Sequence, residues 1–172
     1  STLEHASYTF AVDGVSRALT HQLVRHRIAS FNQQSQRYVK FTGDVAVVKP
    51  ESIAGNAEAS EAFDKAIQAA VDAYHALLEA GVLAEDARYL LPNAAESKIV
   101  ITMNVRELLH FFILRCCNRA QWEIRDMAHR MLELARPTAP FIFADAGAPC
   151  VRGTCPEGKM TCGNPYPKVT RE

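Results

Sequence analysis

The chain has 172 residues and a mass of 19.0 kDa, with 48% hydrophobic and 22% charged residues and 19 basic side chains matched by 19 acidic ones. This composition is typical of a globular domain and excludes collagen-like and largely disordered chains. Zero net charge argues against a general nucleic-acid coat or a binder of anionic membranes, because both need a surplus of Lys and Arg.

The first half of the chain predicts two strands and two helices. Residues 5–12 are short, aromatic and partly alternating, and the Asp-Gly pair at 13–14 predicts that this strand ends in a turn. Apolar residues at helical spacing predict a helix over 15–28, and residues 37–41 (RYVKF) predict the second strand. A capping serine and a terminating glycine bound a long helix over 60–81.

The second half predicts a short helix, one strand and two further helices. Residues 84–89 form the short helix, and the β-branched run 98–102 (KIVIT) forms the strand. Two capping pairs predict the starts of the following helices, Asn104 with Glu107 and Asn118 with Gln121. The order of elements predicts a single α/β or α+β domain rather than a helix bundle. We place this domain at residues 1–146, followed by a tail at 147–172 that is rich in Cys, Gly and Pro.

The cysteines favour a reducing compartment. Their number, five, is odd, and Cys116 and Cys117 are adjacent, so the expected location is the cytoplasm. In the tail, Cys150, Cys155 and Cys162 do not have the CxxC spacing of a zinc knuckle. We therefore predict no metal site. An unpaired structural or disordered tail is favoured over a disulfide or redox role. No segment is long and apolar enough to predict a membrane span, so no membrane partner is expected.

Two groups of cationic residues are each consistent with a purely structural role and with a role in ligand binding or catalysis. Arg25-His26-Arg27 is either a solvated basic helix end or a phosphate site, to which Ser35 and Arg37 add a hydroxyl and a guanidinium fork. Arg115 projects into an apolar neighbourhood. There it either forms a buried salt bridge, with Glu123 as an example of a partner, or stabilises a developing anion. Arg88 is equally consistent with an exposed side chain and with an anion ligand.

An ordered set of motifs carries a family resemblance. The run from Arg25 to Ser35, RHRIASFNQQS, resembles the signature of the flavin-dependent thymidylate synthases. Further matching segments occur in the family's order between residue 1 and about residue 136: Glu4-His5, Ser35-Gln36-Arg37-Tyr38, Ala87-Arg88 before Leu91-Pro92, Asn104-Val105-Arg106-Glu107-Leu108, Leu114-Arg115 and Ala120-Gln121-Trp122-Glu123-Ile124-Arg125.

The resemblance implies an activity and an assembly. Family members make thymidylate (dTMP) from deoxyuridylate (dUMP), with methylenetetrahydrofolate as carbon donor and NADPH as the reductant of bound FAD. The fold expected from the family is a central, mostly antiparallel sheet flanked by helices. Its members are homotetramers whose sites lie between subunits, and the expected ligands are small molecules rather than nucleic acid.

The resemblance also implies residue roles. Arg115 is the expected catalytic residue. The expected flavin contacts are Ser1, Arg25, His26, Arg27, Gln33, Asn104, Arg106 and His110. The expected dUMP contacts are Gln22, Arg25, Gln33, Ser35, Gln36, Arg37, Arg88 and Arg115.

Two departures and two alternatives accompany this assignment. The segment that usually precedes the Glu-His strand is expected to be missing, which places Ser1 at a free amino terminus, and His110 stands where Asn is frequent in the family. One alternative is a related flavin-dependent enzyme that transfers a hydroxymethyl or methyl group to a pyrimidine nucleotide. The other is a non-catalytic nucleotide- or RNA-binding module.

Overall fold

A computed structural model describes residues 1–169. The last three residues of the expected tail, 170–172, lie outside the described part. The strands are β1 (Ser7–Ser16), β2 (Ala29–Gln33) and β3 (Glu96–Asn104). The helices are α1 (Arg17–Leu23), α2 (Glu51–Ala54), α3 (Ala57–Glu79), α4 (Ala84–Ala87), α5 (Val105–Arg115), α6 (Trp122–Ala135) and α7 (Pro140–Phe143). Short 3-10 turns occur at Thr2–Glu4, Arg88–Leu90, Arg136–Thr138, Pro149–Val151 and Gly158–Met160.

The fold is mixed α/β with a small antiparallel sheet, as the sequence predicts. The strand order is β1-β3-β2, so β3 is central. Backbone bonds from Val105 to Ala6 and from Arg17 to Ala95 join opposite ends of β1 to opposite ends of β3, which makes this pair antiparallel. Buried residues alternate along β3, as expected for a strand with one face in the core.

The chain divides into two compact units. Of the described residues, the first unit holds 1–10, 22–31 and 100–169, and the second holds 11–21 and 32–99. Each of the three strands has residues in both units. Among residues 1–169, no helix is long and apolar enough to cross a membrane.

The first unit is built around α5 and α6. Phe112 is fully buried and packs edge-on against Phe143, with ring centroids 6.2 Å apart. Leu108, Phe111 and Ile124 are also fully buried. Burying each of these large apolar side chains contributes on the order of 1.5–3 kcal/mol. This core gives α5 a fixed position, and α5 carries several of the predicted site residues.

The second unit is built around α3. Tyr74 on α3 is fully buried, and its hydroxyl accepts a hydrogen bond from the backbone N–H of Phe41 at 3.3 Å. Val45, Val71 and Ala95 form a buried apolar cluster, against which Phe41 packs. This helix therefore serves as the scaffold for the loop segments 34–49 and 88–95, which carry the predicted site residues Ser35, Gln36, Arg37 and Arg88.

Four predicted boundaries differ from the structure. The first strand does not end at residue 12: β1 continues through Gly14, whose φ of +70° only glycine adopts readily. The first helix does not reach residue 28 but ends at Leu23. The long helix begins after Asn56, whose side chain accepts from Ala59 N–H, and not at residue 60. Gln121, rather than Asn118, caps α6.

The second strand was also predicted in the wrong place. β2 lies at 29–33, in the polar stretch between the predicted first helix and the predicted second strand. Residues 37–41 are not a strand, because the Ser35 hydroxyl accepts hydrogen bonds from the backbone N–H groups of Arg37 and Tyr38 and bends the chain there.

Candidate functional site

The predicted site residues fall into two sets, one in each unit. The first unit contains Ser1, Gln22, Arg25, His26, Arg27, Asn104, Arg106, His110 and Arg115, and the second contains Gln33, Ser35, Gln36, Arg37 and Arg88. Most of the first set lines one cavity. The second set lies on β2, the loop that follows it and the turn after α4.

The Arg-His-Arg segment follows the end of α1. Two tight backbone bonds close the helix, from Arg25 N–H to the Gln22 carbonyl at 3.4 Å and from His26 N–H to the Leu23 carbonyl at 3.1 Å. In the turn that results, Arg25 and Arg27 are exposed, while His26 is only 7% exposed. The two guanidinium groups are therefore available to a ligand, and the imidazole is directed into the protein.

Helix α5 and its capping residue supply further members of the first set. The Asn104 side chain caps it by accepting from the Glu107 N–H at 2.9 Å, which confirms the predicted capping pair. Arg106 pairs with Glu4, with Nε and Oε1 2.6 Å apart, and His110 is exposed one turn further along. Arg115 ends the helix and is half-buried.

Arg115 and His26 are in direct contact. Nε of Arg115 donates to Nε2 of His26 at 3.0 Å, and an Nη2 hydrogen of Arg115 is directed to the Gln22 carbonyl at 3.4 Å. The other ring nitrogen of His26, Nδ1, lies 3.4 Å from Oε1 of Glu107, a carboxylate that is 8% exposed. Glu107, His26 and Arg115 thus form a continuous polar chain.

The electrostatics of this chain keep His26 neutral. Burial lowers the pKa of His26, and the charge of Arg115 lowers it further, against the opposing effect of Glu107. Burial and the neighbouring Arg25 also lower the pKa of Arg115, but a guanidinium remains charged at neutral pH. The cavity therefore presents fixed positive charge beside a neutral imidazole.

A cavity of about 570 Å³ joins these elements. Its walls include four arginines, Arg25, Arg27, Arg106 and Arg115, together with His26 and His110. Four guanidinium groups around one cavity are a suitable donor set for phosphate oxygens, which they bind bidentately. Ser1 and Asn104 are not among its lining residues.

A second cavity, of about 520 Å³, also borders Arg115. The tail forms much of its wall, including Pro149, Cys155 and Pro165. Among the described residues that line it, Arg115 is the only predicted site residue, and Arg115 and Arg119 are its two arginines, against four in the first cavity. The first cavity is therefore the candidate site for phosphate-bearing ligands.

In the second unit, Gln33 is held in one orientation. Its Nε2 donates to the Thr20 hydroxyl at 2.9 Å and to the Ser97 hydroxyl at 3.0 Å. Thr20 and Ser97 are both buried. Because both amide hydrogens are used inside the unit, Gln33 can serve a ligand as a hydrogen-bond acceptor through Oε1.

The residues around Glu85 form the cationic part of the second set. Arg37 donates from Nε to Oε2 of Glu85 at 2.5 Å, and Arg88 donates from Nε to the Glu85 carbonyl at 2.9 Å. Gln36 adds a buried Nε2 that has no hydrogen-bond partner among the described residues. An unpaired buried amide is costly, and a ligand acceptor would satisfy it.

Two charged residues near the predicted site residues, Arg17 and Glu107, were not predicted to belong to the site. Arg17 begins α1, and burial together with the nearby charge of Arg88 lowers its pKa, so two guanidinium groups stand close in the second unit. The sequence predicts Glu107 as a capping partner and as part of a family motif, but not that its carboxylate faces His26. One sequence signal could have indicated this contact. Glu107 lies among apolar residues in the first turn of α5, and a carboxylate that is buried in such surroundings requires a polar partner.

Comparisons with known proteins identify the relatives of this chain. The family described as thymidylate synthase complementing protein matches residues 1–141. The flavin-dependent thymidylate synthase of Geobacter sulfurreducens is 61% identical over 164 residues, which are 95% of this chain and 71% of that protein. The enzymes of the same name from Nitratidesulfovibrio vulgaris and Clostridium tetani are 57% and 49% identical, over 97% and 95% of this chain and 71% and 72% of their own lengths.

Proposed function

The chain belongs to the family of flavin-dependent thymidylate synthases, and on that premise we propose that it converts dUMP to dTMP in the cytoplasm. Methylenetetrahydrofolate is the carbon donor, and NADPH reduces the bound FAD. The observation that carries the proposal is the cavity of the first unit, in which Arg115 stands among three further arginines.

The cavity fits a flavin dinucleotide by the chemistry of its donors. FAD carries a diphosphate, and Arg25, Arg27 and Arg106 supply guanidinium forks at the same cavity wall. His110 is exposed beside them and offers a further polar contact, as Asn does at this position in the family. Arg25, Arg27, Arg106 and His110 would hold the cofactor.

The second set of residues fits a pyrimidine nucleotide. Arg37 and Arg88 provide charge for the phosphate, the Ser35 hydroxyl lies at the start of the same turn, and the buried amide of Gln36 lacks a protein partner. The family resemblance implies further dUMP contacts from Gln22, Arg25 and Arg115. Gln33 would contact both ligands through its acceptor oxygen.

Arg115 is the proposed catalytic residue. Its charge is permanent and its side chain is half-buried, so it stabilises negative charge on the pyrimidine ring more strongly than an exposed arginine would. Stabilised negative charge makes carbon 5 of the ring a better nucleophile towards the one-carbon unit. FAD, when bound, would supply the reducing equivalents needed to convert the transferred methylene to a methyl group, while the residues of the chain would contribute orientation and charge.

We further propose that the active assembly is a homotetramer with sites between subunits. Such an assembly brings residue sets from different subunits to one site, which agrees with the presence of two separate sets of anion-binding residues in the chain. Light scattering on the purified protein would give a mass of about four times the 19.0 kDa chain.

The activity is tested with the purified protein, dUMP, methylenetetrahydrofolate and NADPH. We expect copurified or readily bound flavin, dTMP as the product, and loss of product when any one component is omitted. Formation of 5-hydroxymethyl-dUMP instead would support the related transferase. A colourless protein that forms no product and binds RNA with a steep dependence on salt would support the binding module and contradict the proposal.

A further inference from the structure

The His26 ring has a defined partner at each nitrogen. Nε2 accepts a hydrogen bond from Nε of Arg115 at 3.0 Å, so Nε2 carries no hydrogen. In a neutral imidazole the hydrogen then resides on Nδ1, which faces Oε1 of Glu107 at 3.4 Å. The two contacts together select one tautomer of His26.

The surroundings hold this tautomer in place. His26 and Glu107 are 7% and 8% exposed, and the imidazole packs edge-on against Phe111 with centroids 5.0 Å apart. Glu107 lies in the first turn of α5, where the helix dipole favours a negative charge, and the Asn104 cap fixes its backbone. The imidazole therefore has little freedom to turn.

We propose that Glu107 and His26 are positioning residues for Arg115. Glu107 fixes the His26 tautomer, and Nε2 of His26 orients the guanidinium towards the cavity. Two of the five N–H groups of Arg115 are used by His26 and the Gln22 carbonyl, which leaves three for a ligand. The proposal rests on the catalytic role of Arg115 proposed above and adds how the protein orients that side chain.

The assignment separates His26 from its two neighbours in the Arg-His-Arg segment. Arg25 and Arg27 are exposed at the cavity, whereas both ring nitrogens of His26 face protein groups. His26 was expected to contact flavin, and its ring nitrogens are engaged elsewhere. We therefore infer that it acts on the reaction through Arg115.

Protonation of His26 would break the arrangement. An imidazolium has no acceptor, so Nε of Arg115 would face an N–H group of like charge. The charged and titratable groups around His26 are Glu107, His110 and Arg115 on α5 and the flanking Arg25 and Arg27. Loss of Arg115 orientation at low pH is therefore a consequence of the proposal.

The test compares His26→Phe, which removes both contacts, with His26→Gln, whose amide can accept from Arg115 and donate to Glu107. We expect His26→Phe to lower kcat about tenfold or more with flavin content unchanged, and His26→Gln to recover most of the loss. His129→Phe is the matched control, because His129 lies on α6 and contacts Tyr166 outside the cavity. It should retain wild-type turnover.

A double-mutant cycle shows whether His26 acts through Arg115. In an Arg115→Ala background, His26→Phe should cause no further loss, because the group that it positions is absent. Additive losses, equal activity of the Phe and Gln variants, or wild-type turnover in His26→Phe would each overturn the proposal. The cycle depends on synthase activity, so a second readout that does not is also needed.

The second readout is ¹⁵N NMR of the protein labelled at histidine. At neutral pH, His26 should give the chemical shifts of an Nδ1–H tautomer, and Glu107→Leu should abolish this preference. An Nε2–H tautomer or an imidazolium in the wild-type protein would overturn the proposal, whether or not His26→Phe folds. If the wild type forms no dTMP but shows the Nδ1–H tautomer, the proposed function fails while the orientation of Arg115 stands.

Discussion

At the scale of single residues, the Arg-His-Arg segment combines two exposed cations with one buried neutral ring. The segment lies in the turn after Leu23, where Arg25 and Arg27 are exposed and His26 is buried. Histidine suits the buried position because one neutral ring can accept from Arg115 and donate to Glu107. Neither Lys nor Arg could accept a hydrogen bond there.

The buried imidazole gives the protein an acid-sensitive stability. The pKa of His26 is lower in the folded state than its usual value near 6.5, so below about pH 6.5 the unfolded chain takes up a proton that the folded chain does not. The free energy of unfolding should therefore fall as the pH falls from about 6.5 towards the folded pKa, by at most about 1.4 kcal/mol per pH unit.

Urea denaturation between pH 5 and pH 8 measures this effect. The comparison is between the wild type and His26→Gln, which has no titrating ring at this position. The wild type should lose more stability than the variant between pH 6.5 and pH 5. Parallel curves for the two proteins would show that His26 does not contribute to the acid sensitivity.

At the scale of elements, α5 positions the first set of site residues. It begins at the Asn104 cap, continues past Arg106 and His110, and ends at Arg115. It packs on α6, and Leu108 and Phe112 on its buried face are fully buried. Movement of this helix would displace every cavity residue that it carries.

We expect Asn104→Ala to destabilise the protein by about 1 kcal/mol, because it removes the acceptor for the Glu107 N–H at the start of α5. The urea midpoint measures the loss. Asn104→Asp is the matched control, since its carboxylate can accept the same hydrogen bond and interacts favourably with the helix dipole. Equal destabilisation by Ala and Asp would show that the cap is not the cause.

The elements that the sequence predicts well are those with local signals. The Asn104 and Glu107 pair and the β-branched run 98–102 define the start of α5 and the centre of β3. The misplaced strand at 37–41 has a physical explanation, because the Ser35 hydroxyl forms local bonds that compete with strand pairing. β2 is polar, and only its pairing in the sheet identifies it as a strand.

The sequence predicts which arginines line the cavity, but not the contacts between residues of the site. The resemblance supplied the arginines that line the cavity, since each belongs to a motif with a recognisable order. The contact between Glu107 and His26 was not predictable, because it joins residues on different elements and depends on how α5 packs against the turn after α1. The unpaired amide of Gln36 likewise depends on burial that a sequence does not display.

At the scale of the whole molecule, zero net charge conceals separate groups of charge. Arginines gather at the cavity of the first unit, whereas acidic residues such as Asp64, Asp72 and Glu79 lie on the scaffold helix α3 of the second. Neutral overall charge limits nonspecific attraction to polyanions, while the local cations remain available to small phosphate-bearing ligands.

The tail through residue 169 is fastened to the rest of the first unit, of which it is a part. The Tyr166 hydroxyl donates to Oδ1 of Asn118 at 2.7 Å and lies 3.1 Å from Nε2 of His129, and Nδ2 of Asn118 donates to the Asn164 carbonyl at 2.7 Å. Asn118, which was predicted as a helix cap, thus anchors the tail. All five cysteines are free thiols.

Thiol labelling should report this packing. Burial raises the pKa of Cys116 to about 12, so at pH 8 only about one molecule in 10⁴ carries the thiolate there. Cys162 is exposed and should react first with a thiol reagent, whereas Cys116 should react only after denaturant is added. Loss of the fast phase in Cys162→Ser is the control. Rapid labelling of Cys116 in the native protein would contradict the packing of α5 described above.

The most direct test of the account is the turnover of Arg115→Ala, measured as dTMP formed per bound flavin. We predict a fall of at least about 10²-fold with flavin content unchanged, because the variant loses one preorganised cation at the reacting ring. Arg130→Ala removes an exposed arginine paired with Asp126 on α6 and should retain wild-type turnover. Near-normal turnover of Arg115→Ala would contradict the account.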